Sequence, residues 1–222
     1  MKCNRKILVV SYVILLVLWF IGSQILIVNG VYFIFGKEAY NSIYEEHRYF
    51  MNLCAQIICL SVVLGIDYKY RHFEIKEWDL KFSEVLKFSG IGILVYLACI
   101  VINMILLPYF PGYTAISEMF TGYEPILSFT VIVFVAPILE EYIFRGKVQS
   151  LMRSEFSTPI AITTQALLFG SLHALALQKI YAVIMGCLFG IIKAKSNKLQ
   201  CTIIVHMTVN FIGWLIGFYI AT

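Results

Sequence analysis

The feature that most constrains this chain is a series of seven apolar segments. A helix needs about 20 mostly apolar residues to cross a bilayer, and the chain is 60% hydrophobic with only 14% charged residues. That is more apolar surface than a soluble domain needs. We therefore predict an all-α fold, a polytopic transmembrane helix bundle of about seven spans. The segments run approximately over Ile7–Val28, Tyr49–Ile66, Phe88–Leu107, Ile126–Phe144, Pro159–Leu175, Ile180–Ile192 and Thr202–Ile220.

Basic residues alternate between the two ends of these segments. Fourteen of the 17 lysines and arginines lie in the N-terminus and in the second, fourth and sixth connections. The positive-inside rule then predicts a cytoplasmic N-terminus and an external C-terminus. The first run is too long for a signal peptide and is interpreted as a retained span. The net charge of +4 is mild, so no nucleic-acid partner is predicted.

Two connections carry further signals. The segment from Asp67 to Lys87 mixes charge with aromatic and aliphatic residues, which fits either an interfacial helix or an ordinary cytoplasmic loop. The segment from Pro108 to Pro125 fits an irregular external loop or a lid. The six cysteines form no CxxC pair and are interpreted as small buried hydrophobes.

Two adjacent glutamates, Glu140 and Glu141, lie at the end of the fourth segment. Adjacent helical residues point about 100° apart, so the two cannot do the same task. Arg145 follows Glu141 by four residues and is expected to pair with it, which leaves Glu140 free as a general base. Pro137 is expected to free the carbonyl of Val133 and to kink the helix. Alternatively, these are solvated charges at the end of a span.

Two histidines and an asparagine form the other polar positions. His173 lies near the end of the fifth apolar run and alone is compatible with an interfacial histidine. His206 lies inside the last run, and Asn210 follows one turn later on the same face. The alternative interpretation of this pair is that it only forms hydrogen bonds that pack one membrane helix against another.

Taken together, these residues supply a carboxylate, two imidazoles and a carboxamide on three helices. Such groups can activate a water and stabilise an oxyanion. The chain contains no GxSxG and no HExxH motif. Charges cost about 2.5–3.5 kcal/mol at the centre of a bilayer, so we expect these side chains to face one another around a polar pocket.

The ordered set EExxxR, FxxxH and HxxxN resembles the CPBP intramembrane proteases, which include the CAAX prenyl endopeptidases and the bacterial "Abi" proteins. The resemblance covers about Glu124 to Phe218. It divides the chain into three N-terminal helices (1–123) that carry no recognised motif and a catalytic core of about four helices (124–222).

The resemblance implies endopeptidase chemistry at or within the membrane. By this resemblance, Glu140 would be the general base and His173 would position the attacking water. His206 and Asn210 would stabilise the oxyanion. Glu141 and Arg145 would hold the architecture of the site. A zinc ion held by Glu140, His173 and His206 would be chemically reasonable, and a metal-independent mechanism is equally compatible.

The implied partners are the lipid bilayer and a peptide or membrane-protein substrate; the residues carry no signal of an oligomeric state. The chain looks more like the bacterial members, which implies a bacterial plasma membrane. Two alternatives stay open: a non-proteolytic regulator or bacteriocin-immunity protein with the same fold, and a proton-coupled transporter, against which no inverted repeat is visible.

The predicted topology contains one tension. Counting from the basic boundaries places Glu140 and His206 toward the cytoplasmic half and His173 nearer the outer half. These residues can meet only if the fifth helix is tilted, sunk, or begins deeper than its apolar run suggests.

Overall fold

The fold is described from a computed structural model over residues 4–70, 80–110 and 124–221. Residues 71–79 of the predicted interfacial segment and most of the predicted external loop lie outside these residues. The described residues form helices joined by short connections, with no strand among them, and the all-α prediction is confirmed. The helices are α1 (Arg5–Tyr70), α2 (Phe82–Leu106, continued by a 3-10 turn Leu107–Tyr109), α3 (Pro125–Glu155), α4 (Thr158–Ser171), α5 (Ala176–Ser196) and α6 (Leu199–Ala221).

Five of these helices are long and apolar enough to cross a bilayer: α1, α2, α3, α5 and α6. The first two predicted segments both lie within α1, and the fifth overlaps α4, which has only 14 residues. The sixth span is longer than its apolar run suggested, since α5 has 21 residues. The chain is thus an integral membrane protein by composition and helix length, and the count of seven crossings stays a prediction.

Helix α1 folds back on itself. Its 66 residues would extend about 100 Å if straight, and the backbone departs from helical geometry at Gly36 (φ 78°) and at His47 (φ −121°). A positive φ is accessible to glycine because it lacks a Cβ. The indole Nε1 of Trp19 donates to the carbonyl of Cys59 at 3.3 Å. The stretches 5–35 and 48–70, here the first and second arms of α1, therefore pack against each other.

Ion pairs at the helix ends agree with alternating chain directions. Arg5 lies 3.4 Å from Glu155, which brings the start of α1 to the end of α3. Lys198 lies 3.3 Å from Glu84, which brings the start of α6 to the start of α2. The side of the membrane on which the N-terminus lies stays a prediction.

Helix α3 is the central element and is unusually wide. Thr130–Val135 and Glu141–Gln149 form i→i+5 hydrogen bonds, the π-helical pattern, which is rare and often found at functional sites. All nine residues of the second stretch are buried. Charged and polar residues on α3 therefore need partners from other helices.

Glycines allow the helices that carry the site to approach closely. A Cβ on Gly186 of α5 would lie 2.9 Å from the Cα of Ala166 on α4. A Cβ on Gly92 of α2 would lie 2.6 Å from the Cβ of Thr208 on α6. Small residues at these crossings hold α4 against α5 and α2 against α6, which is common in membrane helix packing.

A buried polar cluster ties the second arm of α1 to α3. Lys147 Nζ lies 2.7 Å from Asp67 Oδ2, with side chains only 6% and 4% exposed. The Tyr142 hydroxyl donates to the same carboxylate oxygen. Two helices far apart in sequence are thus joined by a desolvated ion pair one turn beyond the glutamate pair of α3.

Removing the carboxylate of Asp67 should destabilise the bundle. The Asp67→Ala change leaves a buried ammonium without its carboxylate, a loss of about 3–5 kcal/mol for pairs of this kind. We expect a lower midpoint of thermal unfolding in detergent, followed by the reaction of a thiol-specific dye with buried Cys59 and Cys201.

The exposed pair between Glu46 and His47, 4.0 Å apart, provides the control. Glu46→Ala should change the midpoint little, because exposed pairs contribute about 0–1 kcal/mol. Asp67→Asn combined with Lys147→Met should recover much of the loss. Equal midpoints for Asp67→Ala and Glu46→Ala would contradict this role.

Candidate active site

The site lies in a cavity of about 760 Å³ between the helices, a size typical of ligand pockets. Four of the six predicted residues line it: Glu140 of α3, His173 of the turn after α4, and His206 and Asn210 of α6. The other two, Glu141 and Arg145, are completely buried beside it.

The expected pair between Glu141 and Arg145 is present. Arg145 Nη1 lies 2.9 Å from Glu141 Oε1, and both side chains are 0% exposed. The Arg145 guanidinium lies 4.4 Å from the ring centroid of Phe169 and 5.2 Å from that of Phe189. Aromatic faces stabilise a desolvated cation, so the solvated-charge interpretation does not hold for these two residues.

Glu141 has a second partner that the sequence did not suggest. His206 Nδ1 lies 2.9 Å from Glu141 Oε1, the same oxygen that Arg145 contacts. A carboxylate only accepts hydrogen bonds, so Nδ1 carries the hydrogen. Glu141 therefore fixes the orientation of the His206 ring and joins α6 to α3. No local pattern could reveal this contact across 65 residues.

Glu140 points to a different environment from its neighbour. Its side chain is 22% exposed, and its Oε2 lies 3.8 Å from His206 Nε2. That distance is too long for a direct hydrogen bond, and both atoms belong to residues that line the cavity. The carboxylate is thus accessible from the cavity, whereas that of Glu141 is enclosed.

His173 lies just beyond the end of α4, and this resolves the topological tension. Helix α4 spans only about 21 Å at 1.5 Å per residue, less than the bilayer core of about 30 Å. The fifth helix therefore ends before it would complete a crossing. His173 Nδ1 lies 3.0 Å from the carbonyl of Phe169, and its ring contacts Phe169 at 4.9 Å. Donation from Nδ1 to this carbonyl leaves Nε2 as an acceptor.

Asn210 is held by a backbone carbonyl of α3. Its Nδ2 donates to the carbonyl of Ile132 at 2.9 Å. The freed carbonyl was predicted at Val133, four residues before Pro137. Thr130–Val135 is π-helical, so each N–H bonds the carbonyl five residues earlier. Proline has no N–H, and Pro137 therefore leaves the carbonyl of Ile132 without its helical partner. One Nδ2 hydrogen remains for another acceptor.

The helices before residue 124 also contribute to the cavity, although no motif was recognised in them. Four of their carboxamide side chains line it: Gln24, Asn52 and Gln56 of α1 and Asn103 of α2. They could have been recognised in the sequence as carboxamides inside apolar runs, because burying an amide in hydrocarbon costs free energy. The division of the chain at residues 123 and 124 stays a prediction, and the cavity takes walls from both parts.

The residues that were considered for zinc do not converge as a ligand set. Among the described residues, no group of three or more His, Cys, Asp or Glu side chains is spaced to hold a metal ion. Glu140 Oε2 and His206 Nε2 lie 3.8 Å apart, and His206 Nδ1 donates to Glu141, an outer contact that metal-binding histidines also make. Zinc binding therefore stays a prediction.

Comparison with known proteins finds a family model that matches part of the chain. No curated protein and no solved structure matches the chain. A family model described as type II CAAX prenyl endopeptidase, Rce1-like, matches residues 122–212. The matched residues include the glutamate pair, both histidines and Asn210, on which the resemblance was recognised. Over residues 122–212, this integral membrane protein is therefore similar to the Rce1-like family of type II CAAX prenyl endopeptidases.

Proposed function

We propose that this protein is an intramembrane endopeptidase that hydrolyses a peptide bond in a membrane-associated peptide or protein. The observation that carries the proposal is that Glu140, His173, His206 and Asn210, from three separate elements, line a single cavity. The family match supports the same class of reaction.

In this proposal Glu140 is the general base. A water in the cavity donates a hydrogen bond to the Glu140 carboxylate and another to Nε2 of His173. Glu140 removes a proton as the water oxygen attacks the scissile carbonyl carbon. General-base catalysis of this kind contributes typically about 10²–10⁴-fold. The proton then passes to the leaving amine when the carbon–nitrogen bond breaks.

Asn210 and His206 stabilise the oxyanion of the tetrahedral intermediate. Asn210 donates its remaining Nδ2 hydrogen, with the other held by Ile132. His206 donates from Nε2 in its imidazolium form, for which the Glu141 carboxylate at 2.9 Å is the counter-charge. Donors fixed before the reaction stabilise the developing charge without reorganisation.

Glu141 and Arg145 act as positioning residues. They are enclosed and do not line the cavity, so their contribution is made through His206. An ion pair with the guanidinium keeps the carboxylate charged inside the bundle, and the charged carboxylate keeps the imidazole in one orientation.

The finer assignments follow the resemblance. We propose that the protein acts in a bacterial plasma membrane, with self-immunity, peptide maturation or signalling as the biological setting. A binding-only regulator has no use for a carboxylate that shares a cavity with two imidazoles. A transporter is disfavoured because the sequence shows no inverted repeat of the kind that many transporters carry.

The Glu140→Gln change should abolish cleavage and leave the protein inserted and folded, because glutamine keeps the shape of the side chain but cannot accept a proton. We expect a loss of about 10²-fold or more in rate. Membrane peptides from cells producing either form would be compared by mass spectrometry for termini that only the parent generates.

Glu155→Gln, on the same helix but paired with Arg5 at the bundle end, is the matched control and should retain those termini. A Glu140→Gln protein that generates them at the parental rate would overturn the proposal. So would a phenotype that survives both Glu140→Gln and His206→Ala, which is the result a partner-binding regulator would give.

The Glu141→Gln change should lower kcat with little change in KM. The amide retains a hydrogen bond to His206 but loses the negative charge that orients the ring, and comparable outer contacts contribute about 10–100-fold. The ¹⁵N chemical shifts of His206 should show a changed tautomer or protonation state in the same variant. Glu84→Gln, paired with Lys198 outside the cavity, should alter neither. An unchanged His206 spectrum would contradict the positioning role.

Chelation tests the metal question directly. Because the donors do not converge, we expect cleavage by purified protein to continue in excess 1,10-phenanthroline. Metal analysis of the same sample should show no stoichiometric zinc. Loss of cleavage that added Zn²⁺ restores would show that Glu140, His173 and His206 rearrange into a metal site.

A further inference from the structure

The wall of the cavity that lies outside the family match has its own chemistry. Tyr49, Asn52 and Gln56 follow one another at intervals of three and four residues on the second arm of α1, so they share one helix face, and all three line the cavity. The opposite arm adds Gln24, and α2 adds Asn103. A polar face of this kind on a membrane helix normally meets another polar group.

Gln56 is the least satisfied member of this face. Its residue is only 6% exposed. Its Nε2 donates to Asn52 Oδ1 at 2.5 Å, but its Oε1 is buried and accepts no hydrogen bond from any described residue. A buried acceptor without a donor costs about 1–3 kcal/mol. The side chain is therefore short of one partner in a cavity that is large enough to admit one.

The bond between the two side chains leaves a defined pattern of free positions. Gln56 Nε2 and Asn52 Oδ1 are used on each other. The groups that this bond leaves wholly unused are an acceptor, Gln56 Oε1, and a donor, Asn52 Nδ2, and Gln56 Nε2 keeps its second hydrogen. An extended peptide presents the complementary pair, a backbone N–H and a backbone C=O. A helical substrate would not, because its backbone groups are bonded within the helix.

The rest of the lining indicates which side chains this peptide carries. Among the described residues, no lysine, arginine or aspartate lines the cavity, and the acid that does is Glu140. The titratable groups that line it, Glu140, His173 and His206, are those assigned to the reaction, so a charged substrate side chain would either pair with one of them or stay unpaired at a high cost in free energy. An apolar or uncharged polar segment would meet no such penalty.

We propose that Asn52 and Gln56 form a backbone-binding pair that selects an extended, uncharged peptide segment and presents its scissile bond to Glu140. The pair determines specificity and does not touch the reacting atoms. This inference rests on the proposed function, since it names what the same cavity binds. It assigns to the second arm of α1 a role that the matched segment 122–212 does not contain.

The test measures retention of peptides, so that it does not depend on cleavage. Purified full-length Glu140→Gln protein in detergent is immobilised and exposed to a peptide mixture from a digested membrane proteome. Retained peptides are quantified by mass spectrometry. We expect Gln56→Leu or Asn52→Leu in this background to lower the retained amount by about tenfold, as loss of one or two hydrogen bonds implies.

Two further measurements make the result specific. Ile57→Leu, on the lipid-exposed face of the same arm, is the matched control and should retain peptides as the background does. A retained peptide is then resynthesised with one backbone amide at a time methylated. One position should weaken binding about tenfold in the Glu140→Gln protein and add nothing further once Gln56 is leucine.

Unchanged retention in both Gln56→Leu and Asn52→Leu, or no peptide retained by the Glu140→Gln protein, overturns the backbone-binding pair. Retention that depends on Gln56, together with no cleavage of the same mixture by the parent protein, overturns the proposed endopeptidase and leaves the binding pair standing. Asn52 is exposed, so its substitution tests the idea without disturbing the core.

Discussion

The structure depends above all on one carboxylate oxygen, Glu141 Oε1, which is shared by Arg145 and His206 at 2.9 Å each. A fully buried charge is tolerated only when it is paired and hydrogen-bonded. Here the pairing also joins α6 to α3 and orients the imidazole that faces Glu140. Stability of the bundle and geometry of the site therefore rest on the same contact, and aromatic rings that flank the guanidinium exclude water from it.

The irregular parts of the backbone lie where the site needs them. Helix α4 stops after 14 residues, and the turn that follows carries His173 into the cavity. The π-helical stretch of α3 before Pro137 leaves the carbonyl of Ile132 for Asn210. Non-helical backbone at membrane depth is tolerated where it lines a cavity and not where it meets lipid. Both departures from a regular helix thus serve the polar groups that line the pocket.

Sequence patterns predicted the elements well because hydrophobicity and spacing are local properties. The pairing of Glu141 with Arg145, four residues apart, followed from helical geometry. The contact of Glu141 with His206 did not, because nothing local specifies which face of α6 meets α3. The carbonyl freed by Pro137 was predicted at Val133, one residue too late, because an α-helical register was assumed where the helix is π.

The N-terminal helices contain important polar residues that no recognised motif marks. Asp67 and Gln56 belong to no recognised pattern, yet one clamps α1 to α3 and the other lines the cavity. Each was visible as a polar residue beside or within an apolar run. What the sequence lacked was the partner, which only the packing of distant helices supplies.

The central claim is that Glu140, His173, His206 and Asn210 direct a water to a peptide carbonyl. It is tested most directly by cleavage in ¹⁸O-labelled water, with the new carboxyl terminus of the product analysed by mass spectrometry. Direct attack by water predicts one labelled oxygen per cleavage with the parent protein and no labelled product with Glu140→Gln. Product that forms without the label, or labelled product from Glu140→Gln at the parental rate, would contradict it.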